Sequence, residues 1–364
     1  MDERKIISQG GFGCVYYPKI KCAGKLYQDS NTTKKASGTA DKKMISKFTK
    51  YDAIAVNEYE IGKKIKKIYK TFKNMDKDIF VYVEKLCVLN NTPKAKPPFS
   101  TNNDCLLKIK PKDKNCLLYS KYYDADNLHH MIFKNFSLEF YIQSYHFLLL
   151  SCALLYNKFK IIHMDLHANN VLYSHKTNKY HIIDFGISLD LERALADKNY
   201  LKYMLYYDYK NPSIYYPIEM YILIYFLKKN KKLEILVLSS IIKKYYNKIQ
   251  DEYEEYMNVI IDNENLDDYI EEILQHYTDK FVNNSPIKLH IETILREASF
   301  SWDLYRVSEY FIYLMHLNNG GLVGDVRNMN NIDHEMLETL KLSLHYDYTK
   351  RPLPIDIINQ RMKI

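Results

Sequence analysis

Over the first third of this 364-residue chain, apolar positions come in short runs broken by glycine or polar stretches; further on they recur at helical spacing. Ile6–Tyr16 reads as strand, glycine turn, strand, and Met44–Phe48 as a further strand carrying one inward lysine. Asp52–Tyr69 has Ile54, Ile61, Ile65 and Ile68 with lysines between them, the period of an amphipathic helix. Phe80–Leu89 and Cys116–Tyr123 predict two more strands. Lys19–Lys43 has no clear period and predicts a mobile loop. Asn90–Asn115, rich in Pro, Asn and Lys, predicts another loop. Ser137–Phe159 predicts a long apolar helix. The apolar runs Asn170–Tyr173 and His181–Asp184 flank a polar turn at Ser174–Lys179, which predicts a hairpin. Helical periodicity returns over Leu233–Ile249, Asp251–Ile261, Leu266–His276 and Ile287–Ala298. No internal repeat is visible.

Composition narrows the class. A hydrophobic content of 47% is ample for a packed core and excludes a disordered protein. The longest apolar runs, Phe147–Tyr156 and Met220–Leu227, are too short for a membrane span. The opening Met1–Lys5 is charged, so no signal peptide is expected. Cys14, Cys22, Cys87, Cys105, Cys116 and Cys152 contain no Cys-x-x-Cys pair, and the expectation is reduced thiols in a cytoplasmic protein. Residues 1–120 carry 25 Lys and Arg against 12 Asp and Glu, and residues 121–364 carry 27 against 32. The lysines are scattered through a chain rich in Lys, Asn, Ile and Tyr, which argues against a dedicated nucleic-acid surface.

The candidate chemistry gathers between His163 and Gly186. The stretch reads His163-Met164-Asp165-Leu166-His167-Ala168-Asn169-Asn170, and Asp184-Phe185-Gly186 follows the predicted hairpin. Asp165 could take a proton from a hydroxyl, while Asn170 and Asp184 offer the oxygen ligands that magnesium prefers. A zinc site on His163 and His167 lacks a third ligand at useful spacing. Near the start, three of the chain's ten glycines fall within Gly10-Gly11-Phe12-Gly13, where backbone N–H groups can approach phosphates. No Gly-Lys-Ser/Thr follows, which excludes a Walker-type loop.

At these residues the chain resembles the protein-kinase superfamily, whose catalytic loop and Asp-Phe-Gly motif occur in this order. The opening Gly-Gly-Phe-Gly-Cys-Val-Tyr-Tyr-Pro, Tyr216-Pro217-Ile218-Glu219 and the coding bias look most like serine/threonine kinases of giant DNA viruses. The resemblance implies an α+β, bilobal fold: a β-rich N-lobe over residues 1–122 and a helical C-lobe over 123–364, with a helical insertion at 220–302. It implies transfer of the γ-phosphoryl group of Mg-ATP to Ser or Thr hydroxyls of protein substrates. Asp165 would be the catalytic residue, with Asn170 and Asp184 on the Mg2+. The nucleotide would meet Ser8, Gly10, Gly11, Phe12, Gly13 and Val15. Lys47 would grip the phosphates, paired with Glu58, with Glu60 as the runner-up on another helix face. The segment Ser120–Leu128 resembles the hinge, with Tyr123 at the adenine and Asn127 reaching the ribose. Asp303 would brace the catalytic loop, and Arg351, in Asp347-Tyr348-Thr349-Lys350-Arg351-Pro352, would pair with Glu219.

The chain departs from the pattern in two places. Met164 stands where the family has Arg, and His167 where Ser/Thr kinases have Lys. His167 keeps a small-molecule kinase, similar to aminoglycoside phosphotransferases, as a rival; a nucleotide-binding pseudokinase is the second. The stretch Asp251–Glu272 holds ten Asp and Glu and no Lys or Arg, a candidate surface for a basic partner. The compartment expected is the cytoplasm, of a host cell or within a virion.

Overall fold

A computed structural model of the chain describes residues 5–10, 13–22, 24–27, 43–89, 114–134, 137–205, 215–260, 265–318 and 331–361. The strands are β1 (Lys5–Gly10), β2 (Gly13–Tyr17), β3 (Lys25–Leu26), β4 (Met44–Lys50), β5 (Val83–Val88), β6 (Asn115–Lys121), β7 (Asp126–Asn127), β8 (Ile161–Ile162), β9 (Val171–Ser174), β10 (Lys179–Ile182) and β11 (Leu189–Asp190). The helices are α1 (Ala53–Thr71), α2 (Leu128–Lys134), α3 (Leu138–Leu154), α4 (Leu191–Ala196), α5 (Lys198–Met204), α6 (Ile218–Lys229), α7 (Ile235–Ile260), α8 (Leu266–Phe281), α9 (Ile287–Thr293), α10 (Trp302–Asn318), α11 (Asn331–Ser343) and α12 (Pro354–Arg361). The fold is α+β, with a small antiparallel sheet and a larger helical part. No helix among the described residues is long and apolar enough to cross a membrane.

The chain divides into two compact units, Met1–Leu128 with Asn169–Ser188, and His129–Ala168 with Leu189–Ile364. The first thus extends past the expected boundary at residue 122 and takes in the β9–β10 hairpin. Backbone pairing explains this. β7 pairs with β9, and Ile182 exchanges hydrogen bonds with Ile79 and Val81 at 2.7 and 2.8 Å.

In the first unit the sheet order is β1-β2-β4-β6-β5-β3. The two-residue period of a strand sends alternate side chains to opposite faces. Along β6, Leu117 and Tyr119 join Cys14, Tyr16, Met44 and Phe48 on one face, while Cys116 and Leu118 pack with Ala55, Val83 and Leu86 on the other. Helix α1 covers that second face. Asp52 caps it, accepting from the Ile54 and Ala55 N–H groups at 3.0 and 3.1 Å. Its buried stripe runs Ile54, Asn57, Glu58, Ile61, Ile65. Gly62 lets it lie against β5, where a Cβ would stand 2.3 Å from the Val83 carbonyl oxygen.

The second unit is helical, and α10 is buried along most of its length. A wholly buried ion pair ties four of its segments. Arg351 donates through Nη1 and Nη2 to Glu219 at 2.6 and 3.1 Å. The Trp302 indole donates to the same carboxylate at 3.2 Å, and the Tyr277 hydroxyl lies 3.1 Å away.

Three expectations are corrected. The cysteines are not all reduced: Cys22 and Cys87 form a disulfide and Cys14 is also disulfide-bonded, while Cys116 and Cys152 are free. The expected cytoplasmic location loses the support it drew from reduced thiols. The first part of Lys19–Lys43 is tied down rather than loose, because β3 pairs with β5 beside that disulfide; residues 28–42 lie outside those described. The predicted helices Leu233–Ile249 and Asp251–Ile261 are one helix, α7, because neither Gly nor Pro interrupts them.

Two outcomes follow for stability. Glu219→Ala strands a buried guanidinium and should cost about 3–5 kcal/mol, read as a lower urea midpoint. His345 Nδ1 accepts the Asp347 N–H at 2.9 Å, which requires a neutral ring, and burial pushes its pKa from 6.5 down to about 4. A depressed folded pKa gives stability that is complete above pH 6.5 and falls as pH drops toward 4. His345→Gln, which cannot protonate, should flatten that slope in urea titrations run from pH 7 to 4.

Candidate functional site

Strand parity and helix period together place the central group of the first unit. On β4, Met44, Ser46 and Phe48 face away from α1, so Lys47 faces toward it. Glu58 lies in the buried stripe of α1. Lys47 Nζ donates to Glu58 Oε2 at 3.1 Å and to Asp184 Oδ1 at 2.8 Å. Burial alone would lower the Lys47 pKa, but the two carboxylates outweigh it and hold the ammonium charged. Glu60 points elsewhere and pairs with Lys63 at 3.1 Å.

Asp184 follows β10 with φ +64°, a left-handed conformation that Asp tolerates better than most residues. Phe185 beyond it is buried and meets Phe80 edge-on at 6.2 Å. Asn57 Nδ2 then donates to the carbonyls of Gly186 and Ser188 at 3.1 and 2.8 Å. Sequence reading missed Asn57. Its signal was a second polar residue, beside Glu58, inside a mostly apolar stripe.

The register of the hairpin sets Asn170. Val171 pairs with Ile182, and the Asn170 carbonyl accepts from Ile183 N–H at 3.0 Å. Asn170 and Asp184 therefore stand at the same end of β9–β10. An amide oxygen and a carboxylate there suit Mg2+, which takes hard oxygen ligands and keeps water and phosphate in its remaining positions. Among the described residues no group of three or more His, Cys, Asp and Glu gathers as a metal cage.

The strands that flank the glycine-rich stretch belong to the same sheet. Ser8 pairs with Val15, Gly10 with Gly13, and Val15 with Lys47 on its other side. Gly13 has φ +146°, and a Cβ there would lie 2.2 Å from the Phe48 carbonyl oxygen, so only glycine fits. Gly11 and Phe12 lie outside the described residues. The Tyr123 hydroxyl donates to Asp78 at 2.7 Å and its ring packs on His181 at 4.0 Å. Asn127 Nδ2 donates to the Asn169 carbonyl at 2.7 Å.

The second unit holds Asp165. The buried Asp303 carboxylate on α10 accepts from the His163 and Met164 N–H groups at 2.7 and 2.8 Å. Those bonds hold Met164 at φ +70°, an uncommon conformation for a non-glycine residue. Asp165 Oδ1 lies 3.3 Å from His167 Nε2 and 3.9 Å from Arg306 Nη2. Burial would raise the Asp165 pKa, but the His167 hydrogen bond and the charge of Arg306 hold it below the usual carboxylate value. Of the acidic stretch 251–272, Asp267 and Asp268 begin α8, where carboxylates suit the helix dipole, and Glu272 accepts from the Tyr346 hydroxyl. The side chains of 251–264 lie outside those described.

No protein-family model matches the chain, and no curated protein matches its sequence.

Lys47→Met leaves Glu58 buried beside a second carboxylate with no cation. It should cost about 3 kcal/mol at neutral pH. The penalty should shrink toward pH 5, because a carboxyl with a raised folded pKa destabilises only while ionised. Urea unfolding of the variant at pH 7.5 and pH 5 checks both.

Proposed function

We propose that this chain is an ATP-dependent protein kinase with a bilobal kinase-like fold, transferring the γ-phosphoryl group of Mg-ATP to Ser or Thr hydroxyls. The observation that carries the reading is Lys47 held between Glu58 and Asp184. A buried cation is fixed by one carboxylate from a helix and another at the end of a hairpin that also carries Asn170. In this reading Lys47 holds nucleotide phosphates, and the N–H groups of the glycine turn border them. Asn170 and Asp184 would hold Mg2+, which neutralises phosphate charge when bound. Asp165 orients the acceptor hydroxyl and takes its proton. The acceptor oxygen bonds to the γ-phosphorus, the bond to the bridging oxygen breaks, and ADP leaves with that electron pair.

His167, hydrogen-bonded to Asp165 where a Ser/Thr kinase has lysine, favours one rival, phosphorylation of a small-molecule hydroxyl. The retained Lys47, Asp165, Asn170 and Asp184 argue against a pseudokinase. The acidic stretch 251–272 suits a basic protein partner.

Protein incubated with γ-labelled Mg-ATP and generic protein acceptors should yield phosphoserine or phosphothreonine. Label found only on added small alcohols or sugars would replace the protein-kinase reading. Asp165→Asn should lower turnover about 100- to 10,000-fold while the Mg-ATP thermal shift persists. Asp184→Ala should abolish that shift.

A further inference from the structure

The loop His163–Asn170 contains no lysine or arginine, yet Asp165 must stay ionised and aimed to accept a proton. A permanent cation reaches it from α10 instead. The Arg306 side chain is 9% exposed, and its two terminal nitrogens point to different carboxylates: Nη1 to Glu309 at 2.6 Å and Nη2 to Asp165 at 3.9 Å. The Tyr215 ring centre lies 4.0 Å from the guanidinium carbon, a cation–π contact. The Tyr310 ring lies 5.9 Å from the guanidinium and 5.3 Å from the ring of His167, with its hydroxyl on His129 Nδ1.

Most other buried side chains of α10 are apolar. The neighbours of Arg306 and Glu309 along α10 include Leu304, Val307, Phe311, Ile312 and Leu314, all buried. Replacing a buried ion pair in such surroundings by apolar side chains is often neutral or stabilising. Glu309 alone would neutralise Arg306 within one turn of the helix, but the second nitrogen is turned to Asp165.

We propose that Arg306 is a positioning residue for Asp165, supplying from α10 the fixed positive charge that the catalytic loop itself lacks, with Glu309 and Tyr215 setting the aim of its guanidinium. The inference rests on the kinase reading. Asp165 is faced by His163 and His167 from its own loop and by Arg306 and Asp303 from α10. Arg306 is faced by Glu309, Tyr215, Tyr216 and Tyr310.

The test is the double variant Arg306→Met/Glu309→Leu, which removes both charges together and so strands neither. It should unfold at the temperature of the wild type and keep its KM for ATP. Its kcat should fall about 100-fold as Asp165 loses its aim, and the acid limb of its pH–rate profile should move to higher pH. A single variant, Glu309→Gln, keeps the guanidinium and removes its competing charge, so its acid limb should move to lower pH; this arm serves even where the double variant fails to fold. The Asp165 carboxyl, followed by carbon NMR, should titrate in the same directions in both proteins. An unchanged kcat, acid limb and Asp165 titration in the folded double variant would overturn the positioning role, as would an unmoved titration in Glu309→Gln. A wild type that transfers no phosphoryl group, while Asp165 still shifts in both variants, strikes the kinase reading and leaves the Arg306–Asp165 coupling standing.

Discussion

A buried ammonium group must be paired or give up its charge, and that constraint organises the first unit. Lys47 satisfies it with two carboxylates from distant parts of the sequence, one on α1 and one just past β10. For both to reach one nitrogen, α1 must lie on the sheet at a fixed rotation and the hairpin must end at a fixed place. Gly62 and the Asp52 cap serve the first requirement; the pairing of Ile182 with Ile79 and Val81 serves the second. Asn57 adds a neutral clamp one residue from Glu58, holding the backbone beyond Asp184 through two carbonyls.

The second unit solves a related problem with the signs reversed. Here a buried carboxylate, Asp303, is satisfied by backbone N–H groups rather than by a cation, and the bonds it accepts stabilise the left-handed turn at Met164. One turn further along the same helix, Arg306 faces Asp165. A single rigid helix thus sets both the backbone and the electrostatic surroundings of the loop that carries Asp165. Sites on such supports are held more closely than sites on loops alone.

Much of this was legible in the sequence, for physical reasons. The apolar run at 44–48 and the helical period from Asp52 to Tyr69 give a strand with an inward lysine and an amphipathic helix, the resemblance in motif order pairs Lys47 with Glu58, and the polar turn at 174–179 marks the hairpin that carries Asp184. What escaped were features that depend on non-local contact. Asn57 and Arg306 are polar residues within apolar patterns; the carbonyls that Asn57 clamps lie 129 and 131 positions away, and the Asp165 carboxylate that Arg306 faces lies 141 away. The Cys22–Cys87 disulfide joins a segment without periodicity to a strand, and spacing alone does not reveal such a pair. The division of the chain after Leu128 follows from strand pairing across about 45 residues, which no local pattern encodes.

That division bears on how the protein is made. The first unit is discontinuous: its sheet and α1 are complete by residue 121, but its ion pair closes only when Asp184 arrives, 137 residues after Lys47. On a ribosome the first 128 residues emerge with Lys47 and Glu58 in place and β7 without its partner strand. Closing contacts of such long separation is slow relative to local structure. The nascent chain therefore holds an unfinished edge while the whole of α3 is synthesised, and a fragment ending at Leu128 would stay in that state permanently.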